Sequence, residues 1–177
     1  MVVSKKGNKD FEECRIFGEL GQKLFQESKA WKILFPNETK IEPVIDKEGQ
    51  HHKGDFKIAN KYLEIKTRTP KYAKLCGKDI LIEISNTNQG KELFKAWINK
   101  YSEDTYLVYQ WTQLKNNKIE LIKHIVIFKP IYLKNHLEWL NSHELKFSKN
   151  QEYDTNFVII SINELSKKIP LEVITWI

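Results

Sequence analysis

The stretch Gly54-Asp55-Phe56-Lys57-Ile58-Ala59-Asn60-Lys61-Tyr62-Leu63-Glu64-Ile65-Lys66-Thr67 decides how this chain is read. Two short runs of alternating apolar and polar residues flank Asn60-Lys61, the pattern of a β-hairpin with a two-residue turn. With Asn60-Lys61 at the tip, Ala59 faces Tyr62, Ile58 faces Leu63, Lys57 faces Glu64, Phe56 faces Ile65 and Asp55 faces Lys66. Side chains alternate along a strand, and paired residues share a face. Phe56, Ile58, Leu63 and Ile65 then point toward a core, while Asp55, Lys57, Tyr62, Glu64 and Lys66 point the other way. A slip of one strand by one residue would mix the two sets. In this register Asp55 and Glu64 are diagonal neighbours, about 7–8 Å apart at the backbone.

Two carboxylates at that separation reach one small cation. Mg²⁺ prefers oxygen ligands and is commonly held by one or two carboxylates together with water and substrate phosphate. A lysine on the same face orients an attacking water or stabilises charge that develops in the transition state. The same face also reads as a solvated one, with Lys57–Glu64 and Asp55–Lys66 as plain cross-strand ion pairs. Spacing alone does not separate the two.

Working outward, apolar residues Phe11, Cys14, Phe17, Leu20, Leu24 and Phe25 recur at helical spacing, predicting a helix from Asp10 to about Trp31 with Asp10 as its N-cap. Strand-like segments follow at 41–45, 55–59, 62–67 and 79–85. A helix is expected over about 91–101, strands over 105–112 and 119–128, a helix over 133–141, a strand over 157–162 and a short helix over 163–168. Helices interleaved with strands, some as apolar as Ile80-Leu81-Ile82, imply an α/β fold with a mixed central sheet flanked by helices.

The motif resembles that of the PD-(D/E)xK nuclease superfamily, which includes restriction enzymes, Holliday junction resolvases and phage nucleases. Asp55 matches the first acid and Glu64-Ile65-Lys66 matches the E-x-K element. Gly54 stands where that family usually has proline. The resemblance spans about residues 10–112 and implies a restriction-endonuclease-like core: a helix, a three-strand meander carrying the motif, a second helix and a further strand. The strand at 79–85 is then an extra or shifted element, and 113–177 an extension within a single domain of 1–177. The resemblance implies that Asp55, Glu64 and the backbone carbonyl of Ile65 ligate Mg²⁺, with Mn²⁺ as a substitute, and that Lys66 assists the water. Several members place a glutamate of the first helix near the metal. Glu19, between Gly18 and Gly21, is the candidate here, because small neighbours let a helix approach a sheet closely; Glu12 is a weaker one.

The composition agrees with such a partner. The 177 residues carry a net charge of +6, which suits a polyanion such as DNA. Arg68, Lys71 and Lys74 follow the motif as candidate phosphate contacts, with Lys78 beyond; a solvated loop reads the same way. His51 and His52 lie just before Asp55, and Glu83 interrupts an apolar strand as a possible third carboxylate. Trp97, Trp111, Trp139 and Trp176 read as core rather than base-stacking platforms. Cys14 and Cys76 match no zinc spacing and read as reduced thiols of a cytoplasmic protein. No stretch has the run of about 20 apolar residues that a membrane helix needs. The expectation is an Mg²⁺-dependent deoxyribonuclease, an endonuclease by its motif order, acting as a homodimer if it cuts both strands. A nucleic-acid-binding module that keeps the fold without catalysis is the alternative.

Overall fold

The computed structural model describes residues 6–28, 30–46, 54–69, 79–85, 93–116, 118–144, 146–149 and 154–175. The alternation around Asp55 and Glu64 folds into β2 (Phe56–Ile58) and β3 (Lys61–Arg68), an antiparallel pair with β1 (Glu42–Pro43) outside it. β3 then pairs in parallel with β5 (Thr105–Lys115). β6 (Lys118–Phe128) and β9 (Glu172–Thr175) continue antiparallel, giving a six-stranded sheet ordered β1-β2-β3-β5-β6-β9. A parallel neighbour needs a crossover. That crossover contains β4 (Asp79–Ser85), which leaves the main sheet, and α3 (Leu93–Asn99). β4 pairs with β8 (Asp154–Ser161), and β8 with β7 (Lys146–Lys149), in a separate antiparallel sheet.

The apolar side of the hairpin fixes the layers. Phe56, Ile58, Leu63 and Ile65 join Val108, Ile125 and Ile127 in a core against α1 (Lys6–Glu27) and α2 (Ala30–Leu34), through Phe25, Ala30 and Trp31. The opposite face of β5 and β6, with Leu107, Tyr109, Trp111, Val126 and Phe128, packs against Phe94 and Ile98 of α3, Ile80 and Ile82 of β4, and Val158 and Ile160 of β8. A 3₁₀ segment (Pro130–His136), α4 (Leu137–Asn141) and α5 (Ile162–Ser166) close that second core with Leu133, Leu140 and Leu165. The protein is therefore mixed α/β, a central mixed sheet flanked by helices, as its element order implies. Among the described residues no helix is long and apolar enough to cross a membrane.

Local chemistry explains where the elements depart from expectation. The first helix does not run unbroken to Trp31. The Ser28 hydroxyl donates to the Phe25 carbonyl and accepts from the Ala30 N–H, ending one helix and starting the next. The helix expected at 133–141 begins as a 3₁₀ turn at Pro130. β7 and β9 were not expected; each is four residues long, β7 held by the next strand, β8, and β9 by β6, distant in sequence.

The hairpin register also differs. Phe56 pairs with Leu63, Lys57 with Tyr62 and Ile58 with Lys61, so the turn is Ala59-Asn60, not Asn60-Lys61. The shift is two residues, one full side-chain period, so the residues within β2 and β3 keep their faces. Their level along the partner strand changes, and this sets the geometry around Asp55.

Candidate active site

Asp55 sits at the point where β2 bends away. Its N–H donates to the Leu63 carbonyl, 2.8 Å, although Leu63 already pairs with Phe56. Two residues against one is the geometry of a β-bulge, a device that re-aims a side chain. Gly54 makes the bend feasible. Its φ is +112°, and a Cβ there would lie 2.7 Å from the Leu63 carbonyl oxygen. Proline, locked near φ −65°, cannot adopt that backbone, which explains physically why glycine stands where the resembled family has proline.

The bulge brings the Asp55 carboxylate to the edge of β3, level with Ile65 and not opposite Lys66. Oδ2 accepts the Ile65 N–H at 2.7 Å. Oδ1 accepts from Gln22 Nε2 of α1, also at 2.7 Å. Along a strand, the N–H and C=O of one residue leave on the same side. The Ile65 carbonyl therefore points toward the same edge as the Asp55 carboxylate.

Glu64 and Lys66 project from the other face of β3, on the side where Leu107 and Tyr109 of β5 join the second core. Glu64 is 8% exposed, and Lys66 Nζ donates to its Oε1 at 2.7 Å. The parallel register sets Glu64 beside Leu107 and Lys66 beside Tyr109, an apolar wall. Burial and the neighbouring Glu64 carboxylate raise the Asp55 carboxyl from its ordinary 3.8 to about 6; the Ile65 N–H, Lys66 and Lys100 oppose the rise. Two acids at close quarters in a half-buried site thus repel one another.

Two further groups enter from the connection between α3 and β5. β5 joins the sheet beside Tyr62, whose N–H donates to the Asp104 carbonyl. The connection therefore ends beside Tyr62, two residues before Glu64 on β3. Lys100, half-buried, follows α3 directly, its N–H donating to the Ala96 carbonyl and its Nζ 5.1 Å from the Tyr101 ring centre. Burial lowers the pKa of its ammonium against the pull of Glu64; Lys66 adds to the lowering and Asp55 opposes it. Tyr101 is buried, and burial raises its hydroxyl pKa.

Of the residues the sequence singled out, Asp55, Glu64, Ile65 and Lys66 converge. Glu19 is exposed on α1, one helical turn before Gln22, the α1 side chain that bonds Asp55. Among the described residues no three His, Cys, Asp or Glu side chains form one metal-binding group. Asp55 and Glu64 with a backbone carbonyl are oxygen donors of the class that Mg²⁺ takes together with several waters. A divalent cation would offset the burial, and with it the Glu64 repulsion, that raise Asp55.

Arg68 has a structural contact that the sequence did not suggest. Its guanidinium donates to the Leu81 carbonyl of β4 at 2.8 Å and lies 5.6 Å from the Tyr109 ring centre. The Tyr109 hydroxyl donates to the same carbonyl, so the pair ties β4 to the main sheet. Trp111 is core, and Trp97 and Trp139 pack against that core. Glu83 stands in β4 opposite Phe157, outside the six-stranded sheet. Lys71, Lys74, Lys78, His51, His52, Cys76 and Trp176, and the side chains of Glu12, Cys14 and Glu83, lie outside the described residues.

Gln22 and Lys100 are the site residues that the sequence reading missed. Gln22 had a signal, because it lies one turn beyond Glu19 on the same helix face. Lys100 had none, because nothing local marks one lysine of a helix end from another. No family model, curated protein or solved structure matches this chain.

Proposed function

We propose that the chain is a metal-dependent nuclease of the PD-(D/E)xK kind that hydrolyses phosphodiester bonds in DNA, as an endonuclease. The observation that supports the reading is the Asp55 carboxylate bonded to Ile65 at the edge of β3, within electrostatic reach of the Glu64–Lys66 ion pair on the same strand. The helix–meander–helix–strand order around them supports it.

In this reading Asp55, Glu64 and the Ile65 carbonyl hold Mg²⁺ or Mn²⁺, which when bound polarises a phosphoryl oxygen and acidifies a water ligand. The protein's own groups supply the rest. Gln22 and the Ile65 N–H each donate to one Asp55 oxygen and fix the carboxylate plane. The apolar wall of Leu107 and Tyr109 keeps the local dielectric low, which strengthens the attraction between Lys66 and anionic oxygens. Lys66, now bonded to Glu64, is the donor that turns to the attacking water or to the phosphoryl oxygens as charge develops there. Cleavage of both strands of a duplex would use one such site from each of two copies.

The test is incubation of supercoiled plasmid and of branched DNA with Mg²⁺ or Mn²⁺. The reading expects cutting that chelation abolishes and that Asp55→Ala lacks. Binding without cutting by the wild type on every substrate would favour a non-catalytic binding module; equal cutting by Asp55→Ala would remove the site.

A further inference from the structure

The hairpin motif provides one lysine, and that lysine is engaged. Lys66 Nζ lies 2.7 Å from Glu64 Oε1, so in the resting protein its charge is held by a carboxylate. A phosphodiester already carries a negative charge before any bond breaks. A site with two half-buried acids repels it unless a second cation is present. The connection after α3 places one there.

We infer that Lys100 is the phosphate-holding group of this site, binding the substrate's phosphodiester so that Lys66 remains available to the reacting atoms. The inference rests on the nuclease reading and deepens it. Three observations carry it. Lys100 comes from a different element than the motif, the connection that leads into β5 beside Tyr62, two residues before Glu64. The charged groups it faces are Glu64, Lys66 and Asp55, the motif itself. Among the described residues no carboxylate oxygen is within ion-pair distance of its Nζ, whereas Lys66 has one. Its ammonium lies over the ring of buried Tyr101, 5.1 Å from the ring centre. An ammonium held over a buried ring near two acids, but not within ion-pair distance of either, is poised for an incoming anion. Arg68, by contrast, is tied to β4.

A phosphate contact has a signature that a structural lysine lacks. Each neutralised phosphate releases counterions, so removing one contact lowers the slope of log affinity against log salt by about 0.9 on duplex DNA. The experiment measures binding of a short fluorescent duplex in EDTA over a salt series for wild type, Lys100→Gln and Lys100→Arg. Thermal melts of the same samples report folding. The inference expects Lys100→Gln to melt like wild type, to bind several-fold more weakly at low salt and to lose about 0.9 of the slope. Lys100→Arg, which keeps the charge, should retain the slope. With Mg²⁺ present, Lys100→Gln should raise KM more than it lowers kcat. Unchanged affinity and slope in folded Lys100→Gln, while wild type binds and cuts DNA, would overturn the role of Lys100 and leave the nuclease reading standing. A wild type that neither binds nor cuts DNA would overturn both. If Lys100→Gln does not fold, Lys100→Met takes its place: a slope lower by about 0.9 supports the inference, and an unchanged slope overturns it.

Discussion

Replacing Asp55 with asparagine should stabilise the metal-free protein at alkaline pH and do nothing for it at acid pH. The Asp55 carboxyl is raised from 3.8 to about 6, by burial first and by Glu64 second. The folded protein thus takes up a proton that the unfolded chain, near pH 5, has released. For this group stability is greatest below about pH 3.8 and is lost as pH rises through about 6. Each tenfold change in proton affinity is worth about 1.4 kcal/mol, so a rise from 3.8 to about 6 sets an upper bound of about 3 kcal/mol. Partial exposure and coupling to Glu64 reduce it, and a gain of about 1–3 kcal/mol at pH 8 is expected. The amide fits the hydrogen bonds: its oxygen accepts from the Ile65 N–H, and a turned Gln22 amide accepts from its NH₂. Urea unfolding of wild type and Asp55→Asn in EDTA at pH 8, 6 and 4 measures the difference. It should shrink through pH 6 and vanish near pH 4. Mg²⁺ should stabilise the wild type and leave the variant unmoved. An equal gain at all three pH values, or none at pH 8, would refute the argument that charge repulsion is stored at this bulge.

Other predictions concern how the site is held. A methyl on Gly21 would bring Cβ within 2.6 Å of Thr67 Cβ on β3, whereas one on Gly18 meets nothing within 4 Å. Gly21→Ala should therefore cost about 1–3 kcal/mol in chemical denaturation, while Gly18→Ala should gain about 0.5–1 kcal/mol from helix propensity. Losing the Tyr109 hydroxyl removes one of the two donors to the Leu81 carbonyl. Tyr109→Phe should cost about 1 kcal/mol of stability with DNA cleavage near wild type, by melting and plasmid assays.

Much of the hairpin was legible because alternation is a face rule. That Glu64 and Lys66 share a face follows from period two, whatever the exact pairing, whereas Asp55 sits at the bulge and bonds α1 through Gln22. The turn position was not legible, because registers two residues apart satisfy the same rule and only the bulge at Asp55 distinguishes them. That bulge depends on the φ of Gly54 and on the Leu63 carbonyl, neither of which is a pattern in the sequence. The close approach of α1 through small residues was readable, but the contact falls on Gly21 alone. There the Gly21 carbonyl and the Thr67 hydroxyl both accept from buried Gln110. Gln110 is 89 residues from Gly21, too far for any local pattern to join them. The second sheet was hidden for the same reason: β4 reads as one more strand of the main sheet until β8, more than sixty residues later, pairs with it.

The proposed nuclease chemistry requires Lys66 to act with Asp55 and Glu64 on a phosphodiester. Single-turnover cleavage of DNA by wild type and Lys66→Ala with Mg²⁺, beside equilibrium binding of the same DNA with metal chelated, tests that role. The variant should bind DNA within a few-fold of wild type and cut at least roughly 100-fold more slowly. Cutting at the wild-type rate by folded Lys66→Ala would contradict it, and Lys66 and Glu64 would then be only an ion pair on a strand.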